Sequence, residues 1–164
     1  RFCREHPLGN IITPAKGRGI GAKKAPMNQF KRRVGERIGE HWILKREGPV
    51  RWCDVDTNHW KSFLAARLTA AIGDPGTLTL FGRQPHKLLA DHLTSEYFRR
   101  VESEGRTVDE WELKPDRPDN EWLDCLVYCH VAASMQGVTL AALAPSPTRE
   151  QSPSRTSAVK YLDL

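Results

Sequence analysis

Short strand-like runs and helical patterns alternate along this chain of 164 residues, and this alternation leaves few folds open. Residues 42–45 and 50–55 are short runs with aromatic and β-branched side chains, which favour strands. They precede a pattern over residues 58–71 in which apolar side chains recur at helical spacing. Further strands are predicted at residues 10–15, 77–81 and 108–113, and further helices at residues 85–103 and 120–136. The pattern predicts an α/β or α+β fold with a mixed sheet flanked by helices.

Composition indicates one globular domain followed by a tail. Hydrophobic residues make up 39% of the chain and charged residues 27%, which excludes a collagen, a coiled coil and a wholly disordered protein. No run approaches the roughly 18 to 20 apolar residues of a membrane span. We expect a domain over residues 1–143 and a disordered tail over residues 144–164, where Pro, Ser, Thr and Arg dominate. The chain begins at Arg1 with what resembles the end of a helix, so we expect a piece of a longer protein.

Positive charge is concentrated in the first quarter of the chain. The first 40 residues hold ten Lys and Arg against three acidic residues, whereas the whole chain has a net charge of +5. Within a basic loop region over residues 10–40, the segment KGRGIG at residues 16–21 predicts a flexible cationic loop. It lacks the Gly-Lys-Ser/Thr ending of a Walker A loop. The charge favours a polyanionic partner such as nucleic acid, and the alternative is a solvated basic loop.

Two acidic side chains open the helix predicted at residues 120–136. Glu121 and Asp124 are three residues apart, so they share a helical face and could point at one cation. The alternative is ordinary helix-start electrostatics, because acids at a helix N-terminus interact favourably with the macrodipole. Asp54 and Asp56 lie at the end of a predicted strand, where a carboxylate can bind metal, but Asp56 is better explained as the cap of the next helix.

Cysteine and histidine spacing gives no indication of zinc. The four cysteines contain no Cys-x-x-Cys pair, and the six histidines form no His-x-x-x-His motif. His92 lies on the apolar face of its predicted helix, which favours a core residue. Reduced core thiols are the expected state of all four cysteines, Cys3, Cys53, Cys125 and Cys129.

Three segments together carry a resemblance to a known family. They are Lys16-Gly17 after a predicted strand, Val55-Asp56-Thr57 continued by Lys61 and Arg67-Leu68, and the run NEWLDCLVY at residues 120–128. In this order they resemble the Lys-Gly element, the Val-Asp-Thr-x-x-x-Lys segment and the closing motif of the large terminase subunit of tailed phages, lambda-type (GpA) family. The resemblance covers about residues 1–137.

The resemblance implies an RNase H-like nuclease domain that cuts concatemeric double-stranded viral DNA by two-metal hydrolysis. By match to the closing motif, Glu121 is the first candidate for a catalytic metal ligand and Asp124 is the second. Mg²⁺ or Mn²⁺ suits such oxygen ligands. The family's other metal carboxylates and its ATP-dependent motor lie upstream, so we expect this N-terminally truncated chain to be inactive alone, with ATP used only in the missing motor.

The same resemblance suggests where DNA and other partners bind. Lys61 is expected on an exposed helical turn, where it could contact a backbone phosphate. The other partners implied are the small terminase subunit and the portal, in the host cytoplasm and with no membrane. Two alternatives remain open: a prophage remnant that binds DNA or a packaging partner without cutting, and a structural domain with a solvated basic quarter. The full set of expected DNA contacts is Lys16, Gly17, Arg18, Lys23, Lys24 and Lys61.

Overall fold

Helices and strands alternate through the part of the chain that the structure describes. The computed structural model describes residues 2–8, 11–48, 50–80, 82, 85–117 and 119–138, so the expected tail at residues 144–164 lies outside it. The elements are α1 (Phe2–Glu5), β1 (Ala15–Arg18), β2 (Arg37–Gly39), β3 (Trp42–Glu47), β4 (Val50–Asp56), α2 (Thr57–Thr69), α3 (Lys87–Leu93), β5 (Glu96–Ser103), β6 (Arg106–Leu113) and α4 (Glu121–Met135). No helix among the described residues is long and apolar enough to cross a membrane.

The main sheet has four strands in the order β1-β4-β3-β2. β1 runs parallel to β4, with Lys16 opposite Asp54, and the other neighbours are antiparallel. The predicted mixed sheet is therefore confirmed, as are the strands expected at residues 42–45 and 50–55. The strand expected at residues 10–15 is displaced: pairing with β4 places it at Ala15–Arg18, so Lys16, Gly17 and Arg18 belong to a strand and not to a loop.

The core fills one face of this sheet beneath α2 and α4. Trp42, Cys53 and Val55 project from the strands onto that face, because alternate residues of a strand point the same way. The helices supply Trp60 and Leu64 from α2, with Leu123, Val127 and Val131 from α4. A smaller cluster of Ile20, Met27 and Ile43 covers the other face. The predicted helix at residues 120–136 is confirmed, and its apolar face anchors it over the sheet.

The helix predicted at residues 85–103 is wrong in its second half. Only Lys87–Leu93 is helical, and Glu96–Ser103 is a strand that pairs with β6 in a separate antiparallel hairpin. The turn between β5 and β6 holds Glu104 and Gly105, both at positive φ, as a tight hairpin turn requires. The strand predicted at residues 77–81 is also wrong, since residues 77–80 have no strand pairing; residue 81 lies outside the described residues.

This hairpin is fastened to α2 and to the glycine-containing segment after β1. The side-chain oxygen of buried Asn58 accepts a hydrogen bond from the backbone N–H of Trp111 at 3.1 Å. The indole of Trp111 donates to Oγ of Ser62 at 2.9 Å. Glu110 accepts from the backbone N–H of Ala22, and Arg106 donates to the carbonyl of Gly21 at 3.1 Å. The segment expected to be a flexible loop is therefore held in place by hydrogen bonds at Gly21 and Ala22.

Candidate functional site

The two carboxylates at the start of α4 contact different neighbours. Glu121 is largely exposed, and its Oε2 lies 3.3 Å from Nδ1 of His92 on α3. His92 is mostly buried and stacks on Trp122 with 4.9 Å between ring centroids. Asp124 is part-exposed, and its Oδ1 lies 3.1 Å from Nζ of Lys61 on α2. The expected core role of His92 therefore holds only in part, because its imidazole also faces the carboxylate of Glu121.

Lys61 is a buried residue, so its predicted exposure is wrong. It is 8% exposed, and its Nζ donates to Oε1 of Glu96 at 2.5 Å as well as pairing with Asp124. The amide of Asn120 also donates to Glu96 at 2.6 Å. The side chain lies on the inner face of α2, where hairpin strand β5 and the start of α4 converge. Sequence reasoning missed Glu96 because it treated that segment as helix.

The three family-like segments meet at this place in the fold. A Cβ atom at Gly17 would lie 2.8 Å from Cγ2 of Thr57 and 3.1 Å from Oη of Tyr128. Gly17 therefore allows β1 to lie close under α2 and α4, which is a packing reason for a glycine at this position. Burial, followed by the negative charge of Asp124, raises the pKa of Tyr128. Strand β1, the first residue of α2 and the closing segment on α4 thus contact one another around Gly17.

The basic side chains of β1 lie across the sheet from this cluster. Arg18 Nε and Lys45 Nζ contact the same oxygen of Asp54, at 3.0 and 2.7 Å, and Asp54 is fully buried. Lys16 faces the same side as Asp54, because the two residues are opposite each other in the parallel register. Lys23 and Lys24 are exposed beside the hairpin. The expected DNA contacts are therefore dispersed. Lys16 and Arg18 lie on the Asp54 side of β1, Lys23 and Lys24 lie beside the hairpin, and Lys61 is buried.

Asp56 caps α2, as the sequence predicts. Its Oδ1 accepts from the backbone N–H groups of His59 and Ile20, at 3.4 and 3.3 Å, and its Oδ2 lies 3.2 Å from Nδ1 of His41. The rings of His41 and His59 stack at 3.6 Å. Burial and the neighbouring His41, opposed by the charge of Asp56, lower the pKa of His59 from 6.5 to about 4. Both oxygens of Asp56 are thus engaged by other groups of this chain.

The cysteines are all free, but only one is a core residue. Cys53 is buried, and burial raises the pKa of its thiol to about 11. Cys125 and Cys129 are exposed on α4, and Cys3 is half-buried, so the expectation of four core thiols is wrong. Cys125 and Cys129 lie one turn apart on the outer side of a helix whose inner side carries Leu123 and Val127.

The first turn of α4 carries the two acidic side chains that the sequence analysis names as candidate metal ligands. Glu121 and Asp124 offer the hard carboxylate oxygens that Mg²⁺ and Mn²⁺ prefer, and both reach solvent. Among residues 2–138 that the structure describes, no three Asp, Glu, His or Cys side chains lie close enough together to hold a metal. The carboxylate chemistry of Glu121 and Asp124 suits a hard cation, but no complete ligand set surrounds them in the described part of the chain.

Together these features define a mixed α/β protein in which the acidic start of α4 pairs with a buried lysine and basic side chains of the edge strand β1 lie on the other face of the sheet. A family model described as the terminase large subunit gpA, endonuclease domain, matches residues 1–144. The chain belongs to this family, and the resemblance carried by the three segments is confirmed. Searches of the curated proteins and of the solved structures gave no match.

Proposed function

We propose that this chain forms part of a metal-dependent endonuclease domain, RNase H-like in architecture, that cuts concatemeric double-stranded DNA during viral packaging. The observation that carries the proposal is the family match over residues 1–144. Contacts between the family-like segments support it, because Gly17 lies against Thr57 and Tyr128, and Lys61 pairs with Asp124.

Glu121 and Asp124 are the residues that would hold a divalent cation. Bound there, Mg²⁺ or Mn²⁺ would activate water or stabilise the leaving oxygen of a phosphodiester. Two-metal hydrolysis requires further carboxylates, which we place in parts of the subunit outside the described residues. The protein's own task at α4 is to fix two carboxylates on the first helical turn, with His92 and Lys61 beside them.

DNA would be held by basic side chains that reach solvent. Lys16, Lys23 and Lys24 are exposed, and we expect them to contact phosphates, which carry little sequence information. Arg18 is the weaker candidate because Asp54 already engages its guanidinium. Assembly with a small terminase subunit and a portal, in the host cytoplasm, completes the proposal.

The test measures the binding of Mn²⁺ to the chain. The loss of the electron paramagnetic resonance signal of free Mn²⁺ reports how much of the ion is bound. Glu121→Gln and Asp124→Asn should each weaken Mn²⁺ binding by about tenfold, since each removes one anionic ligand. Asp91→Asn is the matched control, because Asp91 is a part-exposed helical carboxylate that also pairs with a lysine, Lys87 at 2.6 Å. Its Mn²⁺ affinity should equal that of the wild-type chain.

Equal Mn²⁺ affinity in all three variants would remove Glu121 and Asp124 from the metal site. If the chain then still bound double-stranded DNA, the non-catalytic DNA-binding alternative would become the better account. Because the chain is expected to be inactive alone, cutting of linear and circular duplex DNA with Mg²⁺ or Mn²⁺ is compared for the same three variants within a complete large subunit.

A further inference from the structure

The buried lysine of α2 is the most unusual charged group near the candidate site. A lysine at 8% exposure is costly unless its charge is compensated by partners inside the protein. Lys61 has two such partners, Glu96 at 2.5 Å and Asp124 at 3.1 Å. These come from two separate elements, β5 and α4.

The two carboxylates differ in their surroundings. Glu96 is 8% exposed and is also bound by the amide of Asn120, so it lies inside the protein as the anchor of the ammonium. Asp124 keeps 39% of its side chain exposed, and its second oxygen has only a 3.5 Å contact with Asn120. One oxygen of Asp124 thus faces Lys61, and the other can accept an additional ligand.

We propose that Lys61 is the resident counter-ion of the candidate cation site: anchored by Glu96, its ammonium pairs with Oδ1 of Asp124 and leaves Oδ2 for a divalent ion. This inference rests on the proposed function, which places a divalent cation at Asp124. Three formal charges, one positive and two negative, give the cluster a net charge of −1. The ammonium occupies the gap between Glu96 and Asp124, so a divalent ion binds on the solvent side of Asp124.

Charge variants of the cluster make this inference measurable without any cutting assay. Lys61→Met changes the cluster charge to −2 and opens the gap, so Mn²⁺ should bind about tenfold more tightly. Glu96→Gln changes the charge to zero and should weaken Mn²⁺ binding by about the same factor. The double variant Lys61→Met/Glu96→Gln returns the charge to −1 and should restore wild-type affinity, while Lys61→Arg should stay close to wild type.

Lys45→Met is the matched control. Lys45 also pairs with a buried aspartate, Asp54 at 2.7 Å, but on the opposite face of the sheet. Its removal deletes the same charge and the same kind of ion pair, so a nonspecific charge effect or weakened packing would show there as well. We expect the Mn²⁺ affinity of Lys45→Met to be unchanged.

Unchanged or weaker Mn²⁺ affinity in a folded Lys61→Met chain overturns the inference. So does a fall in the salt dependence of DNA affinity in that variant, which would make Lys61 a phosphate contact. If Lys61→Met does not fold, Glu96→Gln decides: weaker Mn²⁺ binding supports the counter-ion role and equal binding overturns it. A wild-type chain that binds no Mn²⁺ overturns the proposed function instead, and the salt dependence of Lys61→Met still tests whether Lys61 contacts DNA.

Discussion

Nδ1 of His92 lies 3.3 Å from Oε2 of Glu121, while the same imidazole stacks on the indole of Trp122 with planes 17° apart. The short helix α3 is thereby joined to the first turn of α4. Glu121 is 68% exposed, so its contact with the imidazole is screened by solvent and the ring stacking carries most of the interaction.

Replacement of His92 separates these two contributions. His92→Phe keeps an aromatic ring over Trp122 and should change the free energy of unfolding by less than about 0.5 kcal/mol. His92→Ala removes the ring and should cost about 1 to 3 kcal/mol, measured by urea unfolding. An equal loss in both variants would show that the contact with Glu121 outweighs the stacking.

The buried amide of Asn58 should make a measurable contribution to holding the hairpin against α2. Asn58→Ala leaves the backbone N–H of Trp111 without its acceptor, so we expect a loss of about 1 to 3 kcal/mol in the free energy of unfolding. Hydrogen exchange at the amides of β6 should rise in the same variant. Asn28→Ala is the control, since Asn28 is exposed, and a similar loss there would contradict the assignment.

Stability should fall in mildly acidic solution because of His59. Its pKa is about 4 in the folded chain against 6.5 for an ordinary histidine, so the unfolded chain binds more protons between these values. Above about pH 6.5, His59 is neutral in both states and the free energy of unfolding is at its full value. As the pH falls towards about 4, protonation of His59 in the unfolded chain progressively lowers that free energy.

His59→Gln should flatten that pH dependence, measured by urea unfolding at several pH values between 7 and 4.5. In the folded chain, burial and His41 disfavour protonation of His59, so protons are taken up on unfolding. The variant has no imidazole at this position and loses that proton uptake. His130→Gln, a histidine on α4 that contacts Phe63, is the control and should keep the wild-type slope. The same slope in His59→Gln and the wild-type chain would exclude His59 as its source.

Exposed lysines of the basic region should account for DNA affinity. Lys16→Gln and the pair Lys23→Gln/Lys24→Gln should reduce the slope of log affinity against log salt by about one unit for each phosphate that the protein no longer neutralises. Fluorescence anisotropy with duplexes of unrelated sequence should give the same reduction for each duplex. Lys87→Gln, an exposed lysine of α3 outside residues 10–40, should leave the slope unchanged.

A slope that is equal in all these variants would locate the DNA contacts elsewhere. Arg18→Gln is an informative addition, because it also removes one of the two cations around Asp54. The free energy of unfolding should fall in this variant, because the buried Asp54 loses a partner. The affinity for DNA should change less, because Asp54 already engages the Arg18 guanidinium.

The sequence by itself determined those elements whose local signals agree with one another. Asp56 is followed by an apolar helical pattern, so the cap and start of α2 were predictable. The same holds for α4, where acidic residues open a long apolar stripe. The family was recognisable because its segments combine residue type with order along the chain, and that information needs no folded structure.

Tertiary structure alone decided the surroundings of Lys61 and Glu96. Residues 96–103 have a pattern that is compatible with a helix, and only cross-strand pairs such as Phe98 with Trp111 make the segment a strand. Once that strand forms, it carries Glu96 to the inner side of α2 and buries Lys61, which local spacing had assigned to solvent. Side-chain burial depends on partners distant in sequence, and Lys61 and Glu96, 35 positions apart, have no periodic signal that predicts their contact.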